Sequence, residues 1–252
     1  MIKLKILYTG LLLLSVLKVE AQIKILPLGN SITYDNHSND NRSVNDRIAY
    51  RFKLYQLLTT AGYKFDFVGS EKAGGNFLPP GFEDNGGFPG ITNKQMLEKL
   101  KTGYLNIYKP DIVLIEIGTN GLGANNVETN IGYLNGILDE IDNYEKSAGK
   151  VVQVFLAQII NRAGPNVQGN HIPTSTYNAL IADLKQKRSA DKIILVNMET
   201  GAGIDYRYVQ NGGDMYDLYH PEQKGYDKMA VKWFEYLGPY LAGLQNIPPV
   251  LK

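Results

Sequence analysis

Residues 112–120 read IVLIEIGTN and residues 23–33 read IKILPLGNSIT. Each is an aliphatic run that stops at a glycine and passes into short polar residues. The runs are nearly continuous rather than alternating, as expected of parallel strands covered on both faces. Phe65–Val68, Val151–Ile160 and Ile193–Val196 have the same character. Helical patterns lie between them. Residues 47–61 stop at Gly62, and Thr92 to Gln95 has capping-box spacing ahead of a helix through Leu100. Val127, Ile131, Leu134, Leu138 and Ile141 form one stripe, and residues 175–187 and 222–237 give two more helices, the last closed by Gly238-Pro239. Strands alternating with helices predict an α/β fold with a parallel sheet between two helical layers.

Composition narrows the chemistry. The 252 residues are 44% hydrophobic and 20% charged, which excludes bulk disorder. Cysteine is absent, so no thiol nucleophile, disulfide or cysteine metal site exists. The three histidines are His37, His171 and His220. MIKLK followed by ILYTGLLLLSVL and Val19-Glu20-Ala21 reads as a secretory signal cut after Ala21. The apolar run is shorter than the roughly 20 residues a transmembrane helix needs. A single domain is expected over residues 22–252, in the periplasm or outside the cell. The formal charge is +1, and losing Lys3, Lys5, Lys18 and Glu20 with the signal keeps it near zero. Neither nucleic acid nor a membrane is an expected partner.

Four short motifs follow strands, where open α/β sheets bind ligands. Gly29-Asn30-Ser31-Ile32-Thr33 puts a serine at a strand-to-helix turn, where it could equally be a turn-stabilising residue. Phe88-Pro89-Gly90-Ile91-Thr92 opens a helix whose first N–H groups suit an oxyanion, or is an ordinary loop. Gly118-Thr119-Asn120 offers an amide donor, or an asparagine turn. Asp217-Leu218-Tyr219-His220-Pro221 places a carboxylate three residues ahead of a histidine, within reach of its Nδ1 if the chain turns once. Alternatively Asp217 caps a helix and His220 is incidental. His37, in the solvated run DNHSNDN, reads as a surface residue, and His171 as packing at a helix start. No G-x-S-x-G, H-E-x-x-H, Walker loop or G-x-G-x-x-G occurs. The DNHSNDN run lacks the glycine and distal glutamate of an EF-hand.

Taken together, Ser, Gly, Asn and Asp-x-x-His in this order resemble the SGNH hydrolases, also called GDSL esterases. YRFKLYQLLTTAGYKFDFVGS and YHPEQKGYDKMA extend the likeness to the extracellular carbohydrate-esterase branch, which includes acetyl xylan esterases. The resemblance implies a three-layer, flavodoxin-like fold with a five-stranded parallel sheet. It implies a nucleophile at Ser31, a base at His220 oriented by Asp217, and oxyanion donors from Ser31, Gly90 and Asn120. No cofactor or metal is implied. The substrate would be an acylated carbohydrate with acetyl as the expected acyl group, and the protein is expected to be a monomer. Two departures stand out: Asn30 replaces the aspartate that usually precedes the serine, and Gly121 replaces the aspartate that usually ends the third motif. A lipid or lysophospholipid acylhydrolase and a non-catalytic glycan-binding protein on the same fold stay open as alternatives.

Overall fold

The computed structural model describes residues 22–37 and 39–247, so the segment read as an export signal lies outside the described residues. In chain order the elements are β1 (Ile23–Gly29), α1 (Ser31–Tyr34), α2 (Ala49–Thr60), β2 (Phe65–Phe67), β3 (Glu71–Lys72), β4 (Asp84–Gly87), α3 (Asn93–Lys101), α4 (Tyr104–Tyr108), β5 (Ile112–Glu116), α5 (Val127–Ala148), β6 (Gln153–Gln158), α6 (Ile172–Lys187), β7 (Ile193–Asn197) and α7 (Gln223–Gln245). The five aliphatic runs all become strands. Their residues form the dry centre of the molecule: Leu26, Leu28, Val113, Leu114, Ile115, Phe155 and Leu156 expose no surface.

The sheet has seven strands rather than the five expected. β2 pairs with β1 at Ile23–Ile25 and β4 pairs with it at Leu28–Gly29, so the two share one edge of β1. On the other edge β5, β6 and β7 follow in parallel. The sheet is therefore five ribbons wide in the flavodoxin-like order, with β3 added antiparallel to β4. β3 and β4 read EK and DNGG, too short and too glycine-rich for a hydrophobic period to reveal. The helices fall into two groups, α2 with α7 and α3 with α5 and α6, one for each face. No helix among the described residues is long and apolar enough to cross a membrane.

A second difference concerns the last helix. Gly238-Pro239 does not close it; α7 continues to Gln245 with Pro239 inside. Proline removes one N–H, but Leu237, Leu241 and Ala242 stay buried and Tyr240 meets Phe155 edge-on at 5.7 Å. Apolar burial on both sides of the proline outweighs one lost hydrogen bond. The capping box at Thr92 forms as its spacing predicts.

The turn after β1 is held tightly. A Cβ on Gly29 would lie 2.4 Å from the Glu116 carbonyl oxygen and 2.4 Å from Thr33 Oγ1, so only glycine fits there. Below the turn sits Arg51, a fully buried guanidinium. It donates to the carbonyls of Thr33 at 2.9 Å, Ala73 at 3.0 Å and Arg47 at 2.7 Å, with longer bonds to Tyr34 and Glu83. Burial lowers its pKa to about 10, still well above neutrality. One charge thus ties together three segments around the end of β1. Gly29→Ala, which pushes the new methyl against backbone, is expected to cost about 1–3 kcal/mol. Urea unfolding measures this directly, and an unchanged midpoint would contradict the close approach.

Candidate active site

Four segments meet at the carboxyl ends of the central strands. Gly29 pairs with Gly87, and the Phe88 N–H donates to the Gly29 carbonyl at 3.0 Å, bringing the second motif beside the first. The Asn120 amide donates to the Ile91 carbonyl at 3.0 Å, attaching the third motif to the second. The fourth arrives from the far end of the chain, just ahead of α7.

Ser31 is the first residue of α1. Asn30 caps that helix by accepting from the Ile32 N–H at 2.8 Å. Ser31 Oγ lies 2.9 Å from His220 Nε2. Both side chains are nearly buried, each 8% exposed. On the other side of the ring, His220 Nδ1 is 2.8 Å from each oxygen of Asp217. An ionised carboxylate can only accept, so the ring proton resides on Nδ1 and Nε2 accepts from the serine hydroxyl. Asp217 Oδ1 also accepts from the N–H groups of Tyr219 and His220, both at 2.8 Å, which creates the single turn between acid and histidine. Burial pushes the Asp217 pKa up, but the bonds from the His220 ring and these two N–H groups outweigh it and hold it below the usual carboxylate value.

The three donors expected from the sequence stand as follows. Ser31 opens a helix, so its N–H has no intrahelical acceptor, and neither it nor the Gly90 N–H donates to a protein backbone carbonyl among the described residues. Gly90 takes φ +79° with open space where a side chain would project. Asn120 spends one amide hydrogen on Ile91 and keeps a second. The two departures are compensated locally. Asn30 keeps the capping acceptor. Beside Gly121, Asn126 donates to the Gly121 carbonyl and accepts from the Gly123 N–H, both at 2.9 Å. Arg162 donates to the Leu122 carbonyl at 2.9 Å and stacks 5.0 Å over Tyr219, bridging the third and fourth motifs. Neither brace is visible as a motif.

The other histidines lie apart from this line. His171 Nδ1 is 2.8 Å from Thr174 Oγ1 at the start of α6, the helix-start packing expected of it. His37 is less exposed than its polar run suggests: its ring stacks on Tyr216 with centroids 3.8 Å apart. Among the described residues, no three His, Asp or Glu side chains converge as a metal site would require.

Comparison with known proteins agrees with the motifs. The profile of the GDSL-like Lipase/Acylhydrolase family matches residues 25–233. A multidomain esterase of Ruminococcus flavefaciens is 30% identical over 239 residues, covering 87% of this chain. The chain spans only 29% of that relative's length. A solved family 3 carbohydrate esterase of Clostridium thermocellum is 28% identical with a TM-score of 0.62, over 89% of this chain and 99% of the other. A carbohydrate esterase family 3 structure from Talaromyces cellulolyticus shares the fold at a TM-score of 0.65, with 22% identity over 89% of this chain and 99% of the other.

No sequence pattern marks Glu116, which closes β5 directly beside Gly29. It is fully buried, and neither carboxyl oxygen meets hydrogen-bond geometry with any partner among the described residues. Burial raises its pKa from 4.5 to about 8, with the Ile160 N–H as a weak opposing influence. Its folded pKa exceeds its unfolded one, so the stability of the neutral form is complete below about 4.5 and is lost as pH rises towards about 8. Glu116→Gln cannot ionise. Its unfolding free energy should gain on the parent by up to about 1.4 kcal/mol per pH unit across that window and level off above it. Denaturant titrations at pH 5, 7 and 9 test this; parallel curves would mean that Glu116 is not neutral in the fold.

Proposed function

Because the chain belongs to the GDSL-like lipase/acylhydrolase family, we propose that it is a serine esterase that removes small acyl groups, chiefly acetyl, from carbohydrate. The observation that carries this reading is the continuous line from Ser31 Oγ through His220 to Asp217. His220 Nε2 takes the hydroxyl proton as Ser31 Oγ attacks the ester carbonyl, and the ionised Asp217 stabilises the imidazolium that results. The carbonyl oxygen becomes an oxyanion held by the N–H groups of Ser31 and Gly90 and the second amide hydrogen of Asn120. His220 then passes its proton to the leaving alkoxide, so the alcohol departs and an acyl-Ser31 ester remains. Water, deprotonated by the same nitrogen, attacks that ester, and His220 returns the proton to Ser31 Oγ as the bond to the acyl group breaks and the acid leaves.

Support for a carbohydrate comes from the Clostridium thermocellum family 3 carbohydrate esterase, and support for ester hydrolysis from the Ruminococcus flavefaciens multidomain esterase. Residues 1–21 read as an export signal, and export would bring this activity to polysaccharides outside the cytoplasm. Ser31→Ala is expected to lower kcat for acetate release from acetylated xylan by about 10⁴- to 10⁶-fold. Asn120→Ala, which removes one oxyanion donor, should cost roughly 10²- to 10³-fold. Equal rates for parent and Ser31→Ala would dismiss the esterase reading. Release of long-chain fatty acid in preference to acetate would move it to lipids.

A further inference from the structure

One cavity lies beside the segments that carry Ser31 and His220, although neither of those residues nor the oxyanion segments line it. It measures about 480 Å³, within the range that holds a small ligand. Asp35 and His37 line it from the segment after α1, and Tyr216, Glu222 and Gln223 from the segment around His220, with the His37 and Tyr216 rings stacked on one another. Both segments are tied through backbone to the residues that bear the reacting groups. The Asp35 N–H donates to the Ser31 carbonyl at 2.7 Å, and the Tyr216 N–H donates to the His220 carbonyl at 2.8 Å. Pro221, the next residue after His220, completes the floor. Nothing from residues 88–92 or 118–122, which bear Gly90 and Asn120, lines this space.

That asymmetry identifies which part of an ester fits here. In acyl transfer the carbonyl oxygen turns towards the oxyanion donors, while the alcohol oxygen must face the histidine that protonates it. The leaving alcohol therefore lies on the His220 side, the side on which Pro221 and Tyr216 carry the chain from His220 to the cavity. We propose that this cavity is the subsite for the alcohol portion of the substrate, and that it takes a neutral sugar ring against the exposed face of Tyr216. The inference rests on the esterase reading above.

The wall chemistry suits that ligand. Tyr216 is 42% exposed and its ring is held by the stacked His37, which gives a stationary platform for the C–H face of a sugar. Glu222 and Gln223 offer acceptors and donors for hydroxyl groups. The charges are settled internally rather than left for a ligand. Arg42 forms ion pairs with Asp35 and with Asp40, both at 2.7 Å, and these two carboxylates are almost fully covered. Burial pushes Asp40 up, but its bonds from Arg42 win and hold its pKa at about 2, so the pairing persists at every working pH. The aromatic rings, and three carboxylates against the single guanidinium of Arg42, favour a neutral polyol over a uronate or a phosphate. The unbranched tail of a lipid would gain little from so polar a lining.

The test compares two acetyl esters: a methyl xyloside carrying a single O-acetyl group, and ethyl acetate, whose alcohol is too short to cover Tyr216. Acetate release is measured for the parent, Tyr216→Ala and Tyr216→Phe. The parent should prefer the sugar ester in kcat/KM. Tyr216→Ala should lose at least tenfold more on the sugar ester than on ethyl acetate, mainly through KM. Tyr216→Phe, which keeps the ring, should retain the parent's preference. A parent without preference, or equal losses on both esters in Tyr216→Ala, overturns the subsite and leaves the esterase reading standing. Absence of Ser31-dependent turnover of both esters removes the esterase reading, and the subsite with it.

Discussion

The hydrogen bond between Ser31 and His220 joins residues 189 positions apart, so the candidate site depends on how the two ends of the chain are brought together. Ser31 follows the central strand β1, and His220 precedes α7. The helices behind them, α2 and α7, pack on the same face. Tyr50 and Trp233 meet between them at 6.0 Å, and Gln223 Nε2 donates to the Ala49 carbonyl at 3.3 Å, joining the starts of both helices. Rigid elements rather than loops therefore fix the separation of nucleophile and base. This matters because a misplacement of about 1 Å can cost on the order of 100-fold in rate.

Around this bond, burial alone does not set protonation; the supply of donors does. Asp35 is buried yet accepts from the N–H groups of Ile48 and Ala49 at the start of α2 and pairs with Arg42. Asp217 is half-covered and receives the His220 ring and two backbone N–H groups, which keep it ionised. Glu116 has only the Ile160 N–H to oppose its burial and is driven towards the neutral form. Two acids near one turn are thus pushed in opposite directions by their surroundings, a separation that lets one carry charge and the other remain silent. Arg51 is the cationic counterpart of Asp35: its partners are carbonyl dipoles, enough to keep it charged at neutrality.

Much of this was legible in the sequence, for physical reasons that differ by element. The central strands declared themselves because parallel strands buried on both faces must be continuously apolar. The α5 stripe and the Thr92 cap follow from the helical period and from helix-end hydrogen bonding. Asp217 and His220 lie three residues apart, so their contact is local and spacing alone made it a candidate. β3 and β4 were missed because their pairing is backbone-driven and their side chains carry no pattern. The run through Pro239 was missed because tertiary burial overrode a local stop signal. His37 was read as solvated because its neighbours are polar, whereas its partner Tyr216 lies 179 positions away, beyond any local signal. Glu116 and the Arg162 bridge were hidden for the same reason.

The two departures from the family pattern can be understood through Glu116. An aspartate at position 30 would sit one residue beyond Gly29, the strand partner of Glu116. Both positions are fully buried, and a second acid there would raise the pKa of the first while competing for the same scarce donors. Asparagine supplies the capping oxygen without that charge. At Gly121 the backbone takes φ +72°, a conformation glycine adopts without cost, and the stiffening role passes to Asn126 at the start of α5 and to Arg162. A brace anchored on a 22-residue helix is mechanically sounder than one confined to a loop. Without two acidic side chains the turn is still capped and the loop still held.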